Sequence, residues 1–421
     1  MTIHEELLWR GLIQDVSDPQ LFTKLRPGDA FYIGFDPTAP SLQVGNLVPL
    51  LVSIHLTRAG YTPILLFGGA TGMIGDPGGK SAERNLLPLE QVAENVRLQE
   101  AQAKRLWAAA GLTATPSFVN NLEWTKDVSV LTFLRDVGKH FTVNYMLAKE
   151  SVKSRLSGDG ISYTEFSYML LQAFDFLHLY QQRNCRLQIG GSDQWGNLTS
   201  GLELIRRKIQ GEAYALSFPL ITNSQGKKFG KSEGNAIWLD ATLTSPYKFH
   251  QFWLNVPDSD VVHLLKIFTL ESRERIEAAA TALANHPEQR EAQKLLAHSL
   301  CTLVHGPEAT AEAVRCGQAL FGGSLNGITP AQVLELFGEA PSSELPRSRV
   351  ADTDILTLLS STLVKSKGEA RRLIQSGGFY VDNERVTNES LIVSETPLLE
   401  RGVLVLRSGK KSYHLVKLVE G

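Results

Sequence analysis

From residue 1 to about residue 240, short apolar runs alternate with amphipathic stretches. Phe31-Tyr32-Ile33-Gly34-Phe35 reads as a strand that ends at Asp36-Pro37. Asn46 to Ala59 then has helical spacing, with Leu47, Leu50, Leu51 and Ile54 on one face, and Gly60 stops it. Thr62-Pro63-Ile64-Leu65-Leu66-Phe67 is nearly continuous in apolar residues, as suits a strand covered on both faces. Arg186-Leu187-Gln188-Ile189 runs into Gly190-Gly191, followed by a helical stretch to Lys208. Strand–helix–strand order with glycine-rich exits predicts an α/β fold with a doubly wound parallel sheet over residues 1–240. In such sheets ligands bind outside the carboxyl ends of the strands.

The pattern changes at Ser245. From 245 to 321 only helical periodicity remains, including Ile276 to Ala284 and Glu291 to Val304, which predicts an all-α domain. Residues 322–349 are rich in Gly, Pro and Ser and read as a linker. A last unit, 350–421, opens with two helical stretches and closes with strands at 403–406 and 414–418, a small α+β module.

Composition narrows the class. The chain has 421 residues, 43% hydrophobic and 20% charged, and 42 Lys plus Arg against 44 Asp plus Glu give a net charge of −2. A uniformly basic nucleic-acid coat and a polyacidic disordered chain are excluded, although a local basic patch is not. No window of about 18 consecutive apolar residues predicts a transmembrane helix. The first residues are acidic, unlike a secretory signal, and the expected location is cytoplasmic. Three widely spaced cysteines, Cys185, Cys301 and Cys316, read as buried thiols rather than a disulfide framework or a zinc knuckle.

Four elements can carry chemistry. Asp36 to Asn46 precedes a helix start, where free N–H groups favour an anion; Thr38, Gln43 and Asn46 can donate to phosphate, and Gly45 permits close approach. Gly68 to Arg84 has neither a Walker A pattern nor Gly-x-Gly-x-x-Gly, which disfavours a nicotinamide-binding domain. In it Asp76 can meet an amine, and Lys80 and Arg84 can meet phosphate. Lys227 to Ser232 places lysines beside glycine, suited to a developing pyrophosphate charge. On the helix from Glu165 to Tyr180, Tyr168, Gln172 and Asp175 share one face. Taken singly, each element is equally compatible with an ordinary turn or a capped polar face.

Their order is specific. Tyr32-Ile-Gly-Phe-Asp-Pro-Thr38, Gly68-Gly-Ala-Thr-Gly-Met-Ile-Gly-Asp76-Pro, Thr132-Phe-Leu-Arg-Asp-Val-Gly-Lys-His-Phe141, Thr164-Glu-Phe-Ser-Tyr168, Gln188-Ile-Gly-Gly-Ser-Asp-Gln-Trp-Gly-Asn197 and Lys228-Phe-Gly-Lys-Ser232 together resemble a bacterial-type tyrosyl-tRNA synthetase, a class I aminoacyl-tRNA synthetase, over essentially the whole chain. The resemblance implies a Rossmann-like catalytic domain that joins L-tyrosine to ATP, releases pyrophosphate, and passes tyrosyl to the 3′ end of tRNA(Tyr). It assigns Tyr32 and Asp175 to the phenol; Asp76, Tyr168 and Gln172 to the ammonium group; and Gln194 to the carboxyl end of tyrosine. Gly34, Asp36, Gly45, Asn46, Gly191 and Asp193 fall at ATP positions. Thr38, Gln43, Lys80, Arg84, Lys228, Lys231 and Ser232 fall at catalytic positions, with Lys231 also on ATP. ATP enters as substrate with Mg²⁺, and no protein-bound metal or organic cofactor is expected.

The family's first motif usually carries histidine at position 43, where this chain has Gln43, a donor that cannot carry charge. Lys80, Arg84 and the lysine loop are therefore expected to supply more of the stabilisation. Residues 124–160 resemble the family's connective insertion, which implies a homodimer. Residues 350–421 resemble a small ribosomal-type RNA-binding module, with Lys365, Lys367, Arg371, Arg372, Arg407, Lys410 and Lys411 as RNA-contact candidates. The rivals are a tryptophan-specific relative, against which Tyr32 and Asp175 argue, and a non-catalytic RNA-binding protein, against which the complete pocket argues. No segment is long enough to house an editing domain, and none is expected: a buried polar pair left without its hydroxyl already penalises phenylalanine.

Overall fold

A computed structural model describes residues 1–78, 86–156, 160–222, 229, 231–232, 235–393, 402–409 and 412–420, with Lys231, Ser232 and Asn235 described at the backbone. The chain divides into two compact units, Met1–Ser245 with Phe252–Gly306, and Pro246–Gln251 with Pro307–Gly421.

The first unit holds β1 (Asp15–Val16), β2 (Ala30–Phe35), β3 (Thr62–Phe67), β4 (Ser117–Asn120), β5 (Cys185–Gly191) and β6 (Tyr214–Phe218). They form one sheet in the order β1-β6-β5-β2-β3-β4, parallel except for β1 on the edge. Successive strands step outward from β2 through β3 to β4, then from β5 to β6 on the other side. The order therefore reverses between β2 and β5, which is where a doubly wound sheet opens a crevice.

The apolar run at 62–67 is explained by two-sided burial: Ile64, Leu65, Leu66 and Phe67 are all buried. The helix Leu47–Arg58 follows a short 3₁₀ turn and buries most of its surface. Gly60, at φ +94°, adopts the left-handed conformation that turns the chain toward β3. The helix Tyr163–Arg183 begins at Ser162, whose side chain accepts from the Glu165 N–H. It packs with the helix Trp195–Ile209. Met169, Ala173 and Phe176 join Tyr32, Ile64 and Leu66 in one core.

The division differs from the sequence reading in two places. The helices Asp258–Phe268, Arg273–Asn285 and Glu291–His305, read from sequence as part of an all-α domain 245–321, fall within the first compact unit. Val261, Leu264, Leu265 and Phe268 are fully buried there, and the helix carrying them packs on Leu47–Arg58. Periodicity revealed their apolar stripe but not the surface that it covers.

The stretch 322–349 is likewise not a bare linker. It contains the helix Pro330–Phe337 and β9 (Ser342–Pro346), and β9 pairs in parallel with the strand Ser412–Val419. In the second unit β9, β10 (Phe379–Val381), β11 (Glu384–Arg385), β12 (Val403–Ser408) and β13 (Ser412–Val419) form a five-stranded sheet, β11-β10-β12-β13-β9. Val403, Val405 and Leu415 pack with Val333 and Phe337 on one face. Leu404, Leu406 and Val416 pack with Ile355, Leu359 and Ile374 on the other. The unbroken apolar run at 403–406 thus serves two half-cores, one of them supplied by the supposed linker.

β7 (Lys231–Ser232) and β8 (Asn235–Ala236) form a small hairpin ladder. Among the described residues no helix is long and apolar enough to cross a membrane, and no cluster of His, Cys, Asp or Glu is arranged to hold a metal ion. All three cysteines are buried.

Candidate active site

The carboxyl ends of β2 and β5 open into a cavity of about 740 Å³ in the first unit. Tyr32, Gly34 and Asp36 enter it from β2 and the loop beyond. Thr38, Gln43, Gly45 and Asn46 follow along the same loop, and Gly191, Asp193 and Gln194 line it from the end of β5. Asp76, Tyr168, Gln172 and Asp175 complete the set that sequence placed together.

The buried part of the cavity is rich in polar groups. Tyr32 and Asp175 are 1% and 3% exposed. Among the described residues, Tyr32 Oη, Gln172 Oε1 and Gln188 Oε1 have no hydrogen-bond partner. Buried polar atoms are normally satisfied, so such a cluster fits a polar guest. Burial, with the negative charge of Asp175 adding to it, pushes the Tyr32 phenol well above its ordinary range and keeps it neutral.

Burial also raises the Asp175 carboxyl from its ordinary 3.8 to about 7, against the opposing hydrogen bonds from Asn121 and Trp124. Asn121 Nδ2 donates to Asp175 at 2.9 Å and Trp124 Nε1 donates at 2.8 Å. Asn121 Nδ2 also reaches Thr71 Oγ1 at 3.1 Å, and Thr71 donates to Asp36 at 3.0 Å. Tyr168 Oη donates to the other Asp36 oxygen at 2.8 Å. One polar chain therefore runs from Asp175 to Asp36. Tyr168, expected beside Asp76 at the ammonium position, is held by Asp36 in this structure. Asp76 instead accepts from Gln194 Nε2 at 2.5 Å and from the Gly78 N–H at 3.0 Å.

Close packing shapes the loops. A Cβ on Gly69 would overlap the Asn120 side chain, and one on Gly191 would come 2.7 Å from Asp193 Oδ1. The Gln43 loop is tied to the chain beyond β8: Val44 N–H donates to Ile237 O at 3.0 Å, and Leu239 N–H to Leu42 O at 2.9 Å. Asn46 Oδ1 accepts from the Gln43 N–H at 2.8 Å.

Lys80, Arg84, Lys228, Lys410 and Lys411 lie outside the described residues, and Lys231 and Ser232 are placed only as β7. Lys365, Lys367, Arg371 and Arg372 are exposed in the second unit. Arg407 differs from these four. It is 9% exposed, stacked 3.9 Å from the Tyr380 ring, and donates to Gly409 O at 3.3 Å. Register explains this, since Arg407 on β12 lies directly opposite Tyr380 on β10. Its guanidinium therefore packs across the sheet between neighbouring strands.

Sequence reading missed Thr71, Asn121, Trp124, Gln188 and Asn197. The signal was present for Thr71, inside the Gly68–Asp76 motif, and for Gln188 and Asn197, inside the motif that ends β5; Asn121 and Trp124 sit in a stretch without periodicity.

In the connective stretch, Phe141 and Met146 pack into the core around Tyr32. Leu131 is 80% exposed, and Val130 and Val143 are exposed with it.

Comparison with known proteins adds independent findings. The profile of tRNA synthetases class I (W and Y) matches residues 28–322, and that of the tyrosine–tRNA ligase SYY-like C-terminal domain matches 332–416. The chain is 49% identical to the tyrosine–tRNA ligase of Opitutus terrae, covering 100% of both chains. It is 48% identical to that of Geobacillus kaustophilus, over 99% of this chain and 100% of the relative. A C-terminally truncated mitochondrial tyrosyl-tRNA synthetase from Aspergillus nidulans superposes with a TM-score of 0.69 at 30% identity, over 76% of this chain and 94% of that one.

Proposed function

The chain belongs to the tyrosine–tRNA ligase family of class I synthetases, and from that premise we propose that its cavity forms tyrosyl-adenylate from L-tyrosine and ATP and then charges tRNA(Tyr). The carrying observation is the buried, neutral and unpartnered Tyr32 phenol within the electrostatic reach of the buried Asp175 carboxyl, beside the unpartnered oxygens of Gln172 and Gln188. Those groups suit a guest that brings its own hydroxyl. An indole has no phenolic oxygen to offer them, which weighs against tryptophan.

The tyrosine carboxylate attacks the α-phosphorus of ATP. A C–O–P bond forms, the bond to the β-phosphate oxygen breaks, and pyrophosphate leaves. A terminal hydroxyl of the tRNA then attacks the activated carbonyl, and AMP leaves. Both reactants are bound, so positioning replaces an encounter, and no protein nucleophile is required. Asp76, Tyr168 and Gln172 hold the ammonium end and Gln194 the carboxyl end. Gly34, Gly45 and Gly191 let the nucleotide approach the backbone, with Asp36, Asn46 and Asp193 as its polar partners. Thr38 and Gln43 donate to phosphate oxygens, and Lys80, Arg84, Lys228, Lys231 and Ser232 meet the charge that develops on pyrophosphate. Mg²⁺ arrives with ATP, as part of the substrate.

The test is tyrosine-dependent ATP–pyrophosphate exchange, with tryptophan and phenylalanine as controls. Exchange with tyrosine alone is expected, and its absence would overturn the proposal. We read the exposed Val130, Leu131 and Val143 as part of a homodimer interface, for which light scattering should give twice the chain mass. ATP and tRNA as substrates are the reason to place the enzyme in the cytoplasm.

A further inference from the structure

The helix Leu89–Ala109 buries three side-chain amides on one face. Asn95, Gln99 and Gln102 are 1%, 3% and 3% exposed, and their i, i+4, i+7 spacing aligns them along the helix. Each donates to or accepts from the loop that leaves β2. Asn95 Nδ2 donates to Pro37 O at 2.9 Å. Gln99 Nε2 donates to Ala39 O at 2.8 Å. Gln102 Oε1 accepts from the Leu42 N–H at 2.8 Å, while its Nε2 donates to Ser41 Oγ at 3.0 Å and reaches Asp240 Oδ2 at 3.4 Å.

The bonded positions, 37, 39, 41 and 42, flank the residues that the reaction needs. Thr38 lies between the first two, and Gln43 follows the last. Both line the cavity. A loop has no ladder of its own to fix its backbone, and its polar groups must be satisfied from elsewhere. Here one helix supplies the partners in register. Gln102 has an added role: Asp240 follows the segment joined to the Gln43 loop through Val44 and Leu239, and that segment follows the Lys228–Ser232 stretch. A single carboxamide therefore braces the phosphate-facing loop against the chain that leaves the lysine loop.

The geometry assigns Asn95, Gln99 and Gln102 as positioning residues for adenylate formation: an amide ladder that sets where Thr38 and Gln43 stand relative to the nucleotide phosphates. This rests on the reading of the cavity given above. The ladder touches neither Tyr32 nor Asp175, so its loss should spare tyrosine binding. That asymmetry separates positioning from general destabilisation, since misplacement of reacting groups by about 1 Å costs about 10²-fold.

The experiment uses the full-length enzyme, with pyrophosphate exchange measured at varied ATP and varied tyrosine, tyrosine affinity by equilibrium dialysis, and thermal melts. Gln102→Met keeps the volume and removes the amide. Its kcat is expected to fall at least tenfold, with tyrosine Kd within twofold of wild type. Gln102→Glu keeps the acceptor for Leu42 but sets a second carboxylate against Asp240. It is expected to lose activity that Asp240→Asn, added to it, partly restores. If Gln102→Met does not fold, Gln99→Met, which loses one hydrogen bond, decides by the same readouts. Unchanged kcat, or equal losses for ATP and tyrosine, would overturn the ladder while leaving the proposed function standing. Absence of exchange in the wild type would instead defeat that function itself.

Discussion

Asp175 is the residue whose chemistry is most exposed to pH. Its carboxyl holds a proton up to about pH 7 in the folded protein but only to an ordinary 3.8 when unfolded. The folded state therefore binds more protons between these values, and the contribution of Asp175 to stability falls as pH rises from about 4 to about 7. Function runs in the opposite direction. A substrate hydroxyl donates to the ionised carboxylate, so tyrosine must wait for the proton to leave. Tyrosine KM is expected to drop about tenfold between pH 6 and pH 8, and Asp175→Asn should abolish that dependence in a pH series of exchange rates. The same carboxylate underlies rejection of phenylalanine. Sites built around a substrate hydroxyl refuse the analogue lacking it by about 10⁴–10⁵-fold, and tyrosyl enzymes are themselves the known example.

Gln43 makes a smaller prediction. As a neutral donor it is worth about 1 kcal/mol, so Gln43→Ala should lower kcat several-fold, well short of the roughly 10²–10³ lost with a principal oxyanion donor. Gln43→His should at least match the native rate. An unchanged kcat in Gln43→Ala would remove the residue from the catalytic set.

The loop after β3 shows what a single element must satisfy. A Cβ on Gly68 would overlap Thr71 Oγ1 and lie 2.5 Å from Asp36 Oδ1. Those two side chains are hydrogen-bonded to each other and form the middle of the chain that links Asp175 to Asp36. Gly68→Ala should therefore cost about 1–3 kcal/mol in overpacking, read in thermal melts, and should also depress exchange by displacing Asp36. A melt shifted without any loss of exchange would mean that the chain of hydrogen bonds is not needed for activity. This glycine stood in a motif and was legible as part of a site. The amide ladder was not, because in an amphipathic helix Asn95, Gln99 and Gln102 count as polar and are read as outward-facing. Only the neighbouring loop, whose groups at Pro37, Ala39, Ser41 and the Leu42 N–H take side-chain partners, makes inward amides favourable. The same limitation hid Asn121 and Trp124: their role exists only once β4 and the helix Tyr163–Arg183 are side by side. The site loops were readable because strand ends and glycines are local signals, whereas the groups that support them come from distant parts of the chain.

At the scale of the whole molecule, the net charge of −2 leaves RNA binding to a few local cations. Residues 351–421 hold ten Lys and Arg against nine Asp and Glu, so that region totals only +1. Within it, residues 365–372 carry four basic residues against one acidic. The structure sorts these further. Arg371 is in an ion pair with Glu389 at 2.9 Å, whereas Arg372 is exposed and bonded only weakly to Gly368 O at 3.4 Å. Lys367 lies 4.0 Å from Asp354, too far for a strong surface pair. Arg407 is spent inside the sheet, against Tyr380. If the exposed trio Lys365, Lys367 and Arg372 meets phosphate, converting all three to Ala should flatten the plot of log tRNA affinity against log salt by about two to three, at roughly 0.7–0.9 for each phosphate no longer neutralised. Pyrophosphate exchange, which needs no tRNA, should be unaffected. Arg407→Ala should separate from them: it removes a buried brace, lowers the melting temperature, and changes the salt slope little. An Arg407 variant with native stability and a reduced slope would return that residue to the RNA-binding set, and would mean that the second unit opens β12 toward its RNA.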